Sequence, residues 1–218
     1  MKYTTVSADQ FDQTDGVGHW RFVLGVIRAD FQAGSFPAAT ALAAKIADAA
    51  EAADHHPDID LRYPDRVRVA LTTHATGGLT TLDLELARRI SQRAADSGAS
   101  AAAPNSQAIE ITVDTTDIER IRPFWQAVMG DYVQSGSRLL VDPLRAGPAI
   151  CFQHADSHRP GRNRVHVDVS VPHDVAEQRV AAAIAAGGVV VTDRFARSWW
   201  VLADVDGNEA CISTWQDR

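Results

Sequence analysis

Cysteine is scarce in this sequence, and long apolar runs are absent. The 218 residues include two cysteines, Cys151 and Cys211, without CxxC spacing. Such a pair predicts neither a disulfide framework nor a structural zinc site, and it favours a reducing cytoplasm. No stretch approaches eighteen apolar residues, and the first thirteen residues lack the basic and apolar segments of a secretory signal. We therefore expect neither export nor a membrane partner.

Positive charge is also limited. Lysine and arginine number 21 against 28 aspartate and glutamate residues, for a formal net charge of -7. Because phosphate-backbone binding requires clustered Lys and Arg, nucleic acid is not an expected partner. Hydrophobic residues make up 45% of the chain, enough to bury a core, and the length allows two domains.

A small, polar stretch lies near the middle of the chain. Residues 99–107 are mainly alanine and serine with Pro104, and Gly98 precedes them. Such a segment offers little side chain to pack. The sequence predicts a linker at 99–107 between a domain at 1–98 and a second domain at 108–218.

The first domain combines helical and strand patterns. Ser35 can cap a helix whose apolar residues recur every three or four positions, and Pro57 ends it. Residues 66–71 alternate between apolar and polar, as in a strand with one buried face, whereas the apolar run 20–31 is strand material without clear limits. Thr80 and Asp83 have the spacing of a capping box before a second helix. The pattern predicts an α+β domain.

Three histidines fall at the ends of these elements. His55 and His56 follow the first helix, beside Glu51 and Asp54, and His74 follows the strand. Imidazole titrates near neutrality, so such groups can remove one proton and deliver another. A zinc site is the competing interpretation, but adjacent residues rarely direct both rings at one ion, and helical ligand pairs are three or four residues apart. We therefore favour acid and base chemistry.

These residues resemble the signature of pterin-4a-carbinolamine dehydratases. The signature consists of Glu-Ala-Ala-Asp-His-His-Pro at 51–57, Tyr63, Thr72-Thr73-His74, Gly78-Leu79-Thr80 and Asp83. The resemblance covers residues 15–95 and implies a small homo-oligomeric α+β fold, with a sheet covered by helices on one face. It implies dehydration of 4a-hydroxytetrahydrobiopterin to the quinonoid dihydropterin, with no cofactor.

The resemblance also implies roles for individual residues. By position, the catalytic groups are His55, His56 and His74. The residues implied to bind the pterin substrate are Asp54, Thr72, Thr73, Glu51 and Asp83.

Two positions depart from the pattern of that family. The stretch from Tyr63 to His74 is one residue longer, which a bulge around Pro64-Asp65 would absorb without disturbing the strand end. Ala75 stands where an acidic residue is common. Both departures predict a weaker activity or a different pterin.

The second half contains two similar strand–helix units. Residues 109–113 and 165–169 alternate like strands, and capping-box spacing occurs at Thr116 with Glu119 and at Asp174 with Glu177. Residues 108–216 resemble the glyoxalase-like branch of the vicinal oxygen chelate superfamily. The cues are Arg122-Pro123-Phe124-Trp125, Asn163-Arg164-Val165-His166 and Asp204-Val205-Asp206-Gly207-Asn208-Glu209. The resemblance implies paired βαβββ units around a pocket.

Metal-dependent members of that superfamily carry His, Gln or Glu ligands on the first and last strands of each unit. By position, Gln107 and His166 could be two ligands, but the expected Glu falls on Cys211. Glu209 is offset by two residues, which keeps it on the same strand face. This incomplete set predicts no metal.

The sequence leaves three functions open. The first is a dehydratase whose glyoxalase-like domain binds a ligand or assists assembly. The second is a non-catalytic ligand-binding or oligomerisation protein with the same fold. The third is metal-assisted lyase, isomerase or dioxygenase chemistry in the second domain, against which the incomplete ligand set argues. The three histidines favour the first, because a scaffold does not need them.

Overall fold

The computed structural model describes residues 3–102, 108–156 and 166–217. The chain divides into two compact units, one ending at Ala108 and one beginning at Ile109. Within the linker predicted at 99–107, Ser100–Ala101 forms a strand paired with the first unit's sheet, while residues 103–107 lie outside the described ranges. Within those ranges, no helix combines the length and apolar character needed to cross a bilayer.

The first unit is an antiparallel sheet with helices packed against it. Its elements are α1 (Ala8–Asp12), β1 (Arg21–Val23), β2 (Val26–Gln32), α2 (Phe36–Glu51), β3 (Asp58–Arg62), β4 (Arg66–Leu71), α3 (Thr81–Asp96) and β5 (Ser100–Ala101). The strand order is β1-β2-β4-β3, with β5 paired to β2. The predicted α+β fold is confirmed.

Alternation along the strands places the core of this unit. In β4, Val67, Val69 and Leu71 are fully buried, while the residues between them are more exposed. They share one hydrophobic cluster with the inward residues of β2, α2 and α3, which include Phe31, Leu42, Ile46, Leu86 and Ile90. Apolar burial of about 25 cal/mol per Å² is the main force that holds the helices on the sheet.

The helix starts of the first unit follow their predicted caps. The Ser35 side chain accepts a hydrogen bond from the backbone N–H of Ala38 at 3.2 Å, which satisfies one free donor of α2. Thr80 and Asp83 form the predicted capping box of α3. After α2 ends, Asp54 adopts a φ of 48°, a left-handed conformation that Asp tolerates better than most residues.

The predicted bulge at Pro64-Asp65 is wrong. The β3–β4 ladder runs without a register shift from Asp58 opposite Ala70 to Arg62 opposite Arg66. The three residues 63–65 form the loop of this hairpin, so the additional residue belongs to the loop and the strand remains regular. The alternation of β4 therefore continues without a shift to Leu71, three residues before His74.

The second unit contains two copies of one supersecondary arrangement. The first copy comprises β6 (Glu110–Thr115), α4 (Ile118–Met129), β7 (Val133–Ser135), β8 (Leu139–Val141) and β9 (Ala149–His154), and the second comprises β10 (Val167–Ser170), α5 (Ala176–Ala185), β11 (Val189–Thr192), β12 (Trp199–Ala203) and β13 (Glu209–Ser213). The sheets have the orders β6-β9-β8-β7 and β10-β13-β12-β11. In each copy the first strand is parallel to the last. The predicted pair of βαβββ units is confirmed.

The two helix starts predicted in this unit are wrong by one residue. Asp117, not Thr116, caps α4 and accepts from Arg120 N–H at 3.3 Å. The Thr115 hydroxyl accepts the N–H of Asp117 at 3.0 Å, which holds residue 116 in the turn before the helix. At α5 the N-cap is Val175, whose apolar side chain has no acceptor for a cap, and its N–H donates to the carbonyl of Pro172 in the preceding turn.

One buried carboxylate organises the hairpin between β12 and β13. Asp204 is 2% exposed and accepts hydrogen bonds from Trp125 Nε1 at 2.9 Å and from the backbone N–H groups of Asp206 and Asn208. Asn208 Nδ2 donates to it at 2.9 Å. The carboxylate therefore connects the hairpin to α4.

Replacing Asp204 with alanine is expected to lower the free energy of unfolding of the second unit by about 1–3 kcal/mol, because buried donors lose their acceptor. Urea unfolding followed by tryptophan fluorescence measures this change, since four of the five tryptophans lie beyond residue 109. Asp193→Ala, at an exposed position, is the matched control and should change stability by less than about 0.5 kcal/mol. Equal urea midpoints for Asp204→Ala and wild type would contradict the prediction.

Candidate active site

Asp83 is the centre of a hydrogen-bond network in the first unit. Its side chain is fully buried, and its Oδ2 accepts from the backbone N–H of Thr80 at 2.7 Å and from the hydroxyl of Thr73 at 2.8 Å. Its Oδ1 lies 2.8 Å from Nε2 of His55. One carboxylate thus joins the start of α3, the segment after β4 and the segment after α2.

His55 lies within this network and is 9% exposed. A carboxylate oxygen accepts hydrogen bonds, so Nε2 of His55 carries the hydrogen of this contact. The backbone N–H of His55 also donates to the carbonyl of Ala50 at 3.2 Å, which fixes the chain as it leaves α2. His55 is therefore held at both its main chain and its ring.

His56 has the opposite environment. Its side chain is 57% exposed, and its Nε2 lies 3.0 Å from Oε1 of Glu51, which is 78% exposed. Glu51 is the last residue of α2, where the helix dipole disfavours a negative charge by about 0.3–1 kcal/mol. The helix dipole therefore does not favour a carboxylate there, and this carboxylate instead contacts the ring of His56.

His74 belongs to the turn between β4 and α3 and is exposed. The turn is closed by a hydrogen bond from Thr73 N–H to the carbonyl of Gly78 at 3.0 Å, and Gly77 takes a φ of 65° within it. Ala75 is exposed in the same turn. The Thr73 hydroxyl is bonded to Asp83, so the residue immediately before His74 is anchored to the buried carboxylate.

The remaining predicted binding residues differ in exposure. Thr72 is 5% exposed, and its hydroxyl donates to the carbonyl of Gly25 at 3.2 Å, in the hairpin between β1 and β2. Asp54 is exposed. The structure thus brings His55, Thr73 and Asp83 into one network, whereas the hydroxyl of Thr72 is engaged elsewhere. Thr80, which the sequence analysis gave as a cap and as part of the signature but not as a site residue, is part of the network.

Another histidine of this unit has a structural environment. His19 is partly buried, and its Nε2 lies 2.9 Å from the hydroxyl of Ser91. Burial, and to a lesser extent the positive charge of Arg21, lowers the pKa of His19. Its ring packs edge-on against Phe31 at a centroid distance of 5.6 Å, as expected for a core histidine.

In the second unit, the candidate ligands are only partly described. Gln107 lies outside the described residues, and Glu209 is 8% exposed. His166 lies close to Cys211 and to Asp168, a residue that the sequence analysis did not select. The signal for Asp168 was its position two residues after His166 on an alternating strand.

Comparison with known proteins assigns the first unit to a family. Residues 4–93 match the family model described as pterin 4 alpha carbinolamine dehydratase. A Chloroflexus aurantiacus protein, provisionally named a pterin-4-alpha-carbinolamine dehydratase, is 51% identical over 73 residues, which are 34% of this chain and 77% of the relative. The chain belongs to this family. A Nocardia farcinica protein with the same provisional name is 56% identical over 63 residues, which are 29% of this dehydratase-family chain and 65% of the relative.

Residues 110–213 match the family model described as a glyoxalase-like domain. A solved transcriptional coactivator/pterin dehydratase from Brucella melitensis is 30% identical and covers 42% of this chain and 99% of its own, with a TM-score of 0.37. A glyoxalase/bleomycin resistance protein/dioxygenase family enzyme from Burkholderia phytofirmans is 21% identical and covers 48% and 95%, with a TM-score of 0.39. By the family match at residues 110–213, the chain carries a glyoxalase-like domain after its dehydratase-family unit.

Proposed function

We propose that the first unit is a hydro-lyase that removes water from 4a-hydroxytetrahydrobiopterin and gives the quinonoid dihydropterin. The observation that carries this proposal is the buried carboxylate of Asp83, which anchors His55 and Thr73. His56 and His74 are the next residues in the chain after these two. The network thus fixes the backbone from which two exposed imidazoles are presented.

The reaction requires one proton donor and one proton acceptor. The bond between C4a and the hydroxyl oxygen breaks, and a protonated imidazole supplies the proton that lets the oxygen leave as water. A neutral imidazole removes the proton from N5, and the electron pair of that N–H bond forms the double bond between C4a and N5. The proton count is balanced without an oxidant or reductant, so the chemistry needs no cofactor. Each proton transfer contributes about 10²–10⁴-fold to the rate.

We assign the two proton transfers to His56 and His74, because both are exposed to a ligand. The Nε2 hydrogen of His55 is already bonded to Asp83, so His55 acts as a positioning residue that holds the segment after α2. Glu51 orients the ring of His56 through their 3.0 Å contact. A carboxylate behind a histidine ring fixes the ring's orientation in other acid–base sites as well.

The substrate assignment rests on complementarity as well as on family membership. A pterin ring presents N–H donors along its amino and amide edge, and a carboxylate accepts such donors in charge-assisted hydrogen bonds. Asp54, exposed and beside the histidine pair, is the residue that we propose for this edge. Thr73 contributes behind the site by anchoring the residue before His74 on Asp83, and Thr72 ties the end of β4 to the hairpin between β1 and β2.

The test of this function is a dehydration assay on the complete chain. A tetrahydropterin-dependent hydroxylase generates 4a-hydroxytetrahydrobiopterin in situ, and absorbance follows the formation of the quinonoid product. We expect dehydration above the spontaneous rate, in proportion to the protein concentration and saturable in pterin. Saturable pterin binding without any acceleration would contradict the proposal and support the non-catalytic alternative. Homo-oligomerisation and a cytoplasmic location stay predictions.

A further inference from the structure

Three side chains with metal-binding atoms meet on one face of the second unit. His166 and Asp168 are two residues apart at the start of β10, so they share a face of the sheet. β10 and β13 are parallel neighbours, and their register sets Asp168 directly beside Cys211. The opposite face of β13 carries Ala210 and Ile212, which belong to the hydrophobic core. The cluster is therefore on the face that turns away from that core.

The ligand atoms of these side chains converge. His166 Nδ1 lies 2.9 Å from Asp168 Oδ1 and 3.6 Å from Cys211 Sγ. All three atoms lie within 4.8 Å of one another. Bonds of about 2.0–2.3 Å to a tetrahedral zinc ion place neighbouring N, O and S ligands about 3.4–3.6 Å apart. The two distances to Nδ1 bracket this range, so a small side-chain adjustment would admit an ion.

Two groups approach the same ring nitrogen of His166. Its Nδ1 faces the carboxylate of Asp168 and the thiol of Cys211, and a ring nitrogen has either one hydrogen or one lone pair. A cation shared by the nitrogen, the carboxylate and a thiolate would satisfy all three at once.

The environment also suits an ion that enters from solvent. Cys211 is 3% exposed and forms the base of the cluster, while the side chains of His166 and Asp168 are 42% and 55% exposed. Imidazole, carboxylate and thiolate together favour zinc-like ions over magnesium or calcium, which prefer all-oxygen sites. Three protein ligands leave a fourth position for water or another ligand.

We propose that His166, Asp168 and Cys211 bind a divalent cation of the zinc class. Cys211 stands where metal-dependent relatives carry a Glu, and Asp168 was not among the positions that the resemblance implied, so this set revises the sequence-based expectation of no metal. All three residues of the site belong to the second βαβββ copy. The site consists only of residues of the second unit, so its test does not depend on the proposed dehydration.

The test uses cobalt, because Zn²⁺ has no d–d spectrum and Co²⁺ reports its ligands by absorption. The complete chain is stripped with a chelator, reduced, and titrated with Co²⁺. We expect one Co²⁺ per chain, visible bands of a tetrahedral ion, a near-ultraviolet thiolate-to-cobalt band, and displacement by Zn²⁺. Cys211→Ser should remove the thiolate band. His166→Ala and Asp168→Ala should weaken binding by at least about 10–100-fold, the range found even when an outer partner of a ligand is removed.

The first copy offers a matched control. Cys151 occupies the corresponding position on β9, where its strand partner is Thr112 and its Sγ lies 3.9 Å from Nη2 of Arg138. Cys151→Ser should keep the cobalt spectrum, and so should Glu209→Gln if Cys211 is the ligand.

Three results would overturn the proposal. They are the absence of a saturable cobalt spectrum in the reduced wild-type chain, a thiolate band that persists in Cys211→Ser, and loss of binding in Glu209→Gln alone. Circular dichroism checks that each variant is folded. If Cys211→Ser does not fold, the exposed-site variants His166→Ala and Asp168→Ala decide the question, and unchanged Co²⁺ affinity in both rejects the site.

Discussion

Alanine at His74 or at His56 is expected to lower kcat for dehydration of 4a-hydroxytetrahydrobiopterin by about 10²–10⁴-fold, the contribution of one general acid or base. Both side chains are exposed, so their removal should change the free energy of unfolding by less than about 0.5 kcal/mol. The coupled hydroxylase assay measures kcat, and thermal unfolding measures stability. A rate loss without a stability loss identifies chemistry rather than folding.

The pH dependence of these variants separates the two roles. The proposed mechanism needs one protonated and one neutral imidazole, which predicts a bell-shaped profile of kcat against pH in the wild type. Removing the acid should abolish the decline at high pH, and removing the base should abolish the decline at low pH. If His56→Ala abolishes the decline at high pH, His56 is the acid, and if it abolishes the decline at low pH, His56 is the base. The profile of His74→Ala should show the opposite change. Added imidazole should restore part of the rate in either case.

The matched control is His173→Ala, an exposed histidine of the second unit. It removes the same kind of side chain but leaves every residue of the first unit unchanged, and it should keep the wild-type kcat. If His56→Ala and His74→Ala both retain kcat within twofold of wild type, the assignment of the proton transfers is wrong. If only one retains it, a single imidazole performs both steps in turn.

The elements that the sequence predicted best are those specified by neighbouring residues. The caps at Ser35 and Thr80 and the alternation of β4 act over three or four positions, and each is present as predicted. The position of His55 and His56 at a helix exit follows from Pro57 in the same local way. The general location of the candidate site could therefore be predicted from short segments.

The elements that the sequence did not resolve depend on partners elsewhere in the chain. The run 20–31 is mostly apolar, and it forms a hairpin at Leu24-Gly25, where both residues take positive φ values of 47° and 77°. Gly25 was the one local signal of this break, because leucine is not a turn residue. Strand β3, Asp58–Arg62, is polar and largely exposed, and its pairing with β4 is what defines it.

The same distinction applies to the two sites. The sequence identified Asp83 as a cap, and the resemblance identified it as a binding residue, but neither indicated that it is fully buried against His55, 28 residues earlier. In the second unit, His166 and Asp168 are close in sequence, whereas Cys211 is 45 residues beyond His166. Only the parallel register of β10 and β13 joins them.

Asp83→Ala is expected to lower the free energy of unfolding of the first unit by about 3–5 kcal/mol, the cost of removing one partner from a buried charged hydrogen-bond network. The variant leaves the N–H of Thr80, the hydroxyl of Thr73 and Nε2 of His55 without their buried acceptor. It also removes half of the α3 capping box. Because two units can unfold separately, amide hydrogen exchange in α2 and α3 measures this loss more directly than a whole-chain melting temperature.

Two further variants test whether the loss of stability belongs to the buried carboxylate of Asp83. They are Asp83→Asn and the exposed control Asp48→Ala. Asparagine keeps one carbonyl oxygen for the N–H of Thr80 but places an amide where a second acceptor is required, so its loss of stability should be intermediate. Asp48 is exposed on α2, and its replacement should cost less than about 0.5 kcal/mol. A loss at Asp83→Ala no larger than at Asp48→Ala would show that the carboxylate does not hold the segments together. His56 and His74 directly follow His55 and Thr73, which are bonded to that carboxylate. A large loss of stability would therefore show that the same carboxylate stabilises the unit and positions its proposed acid and base.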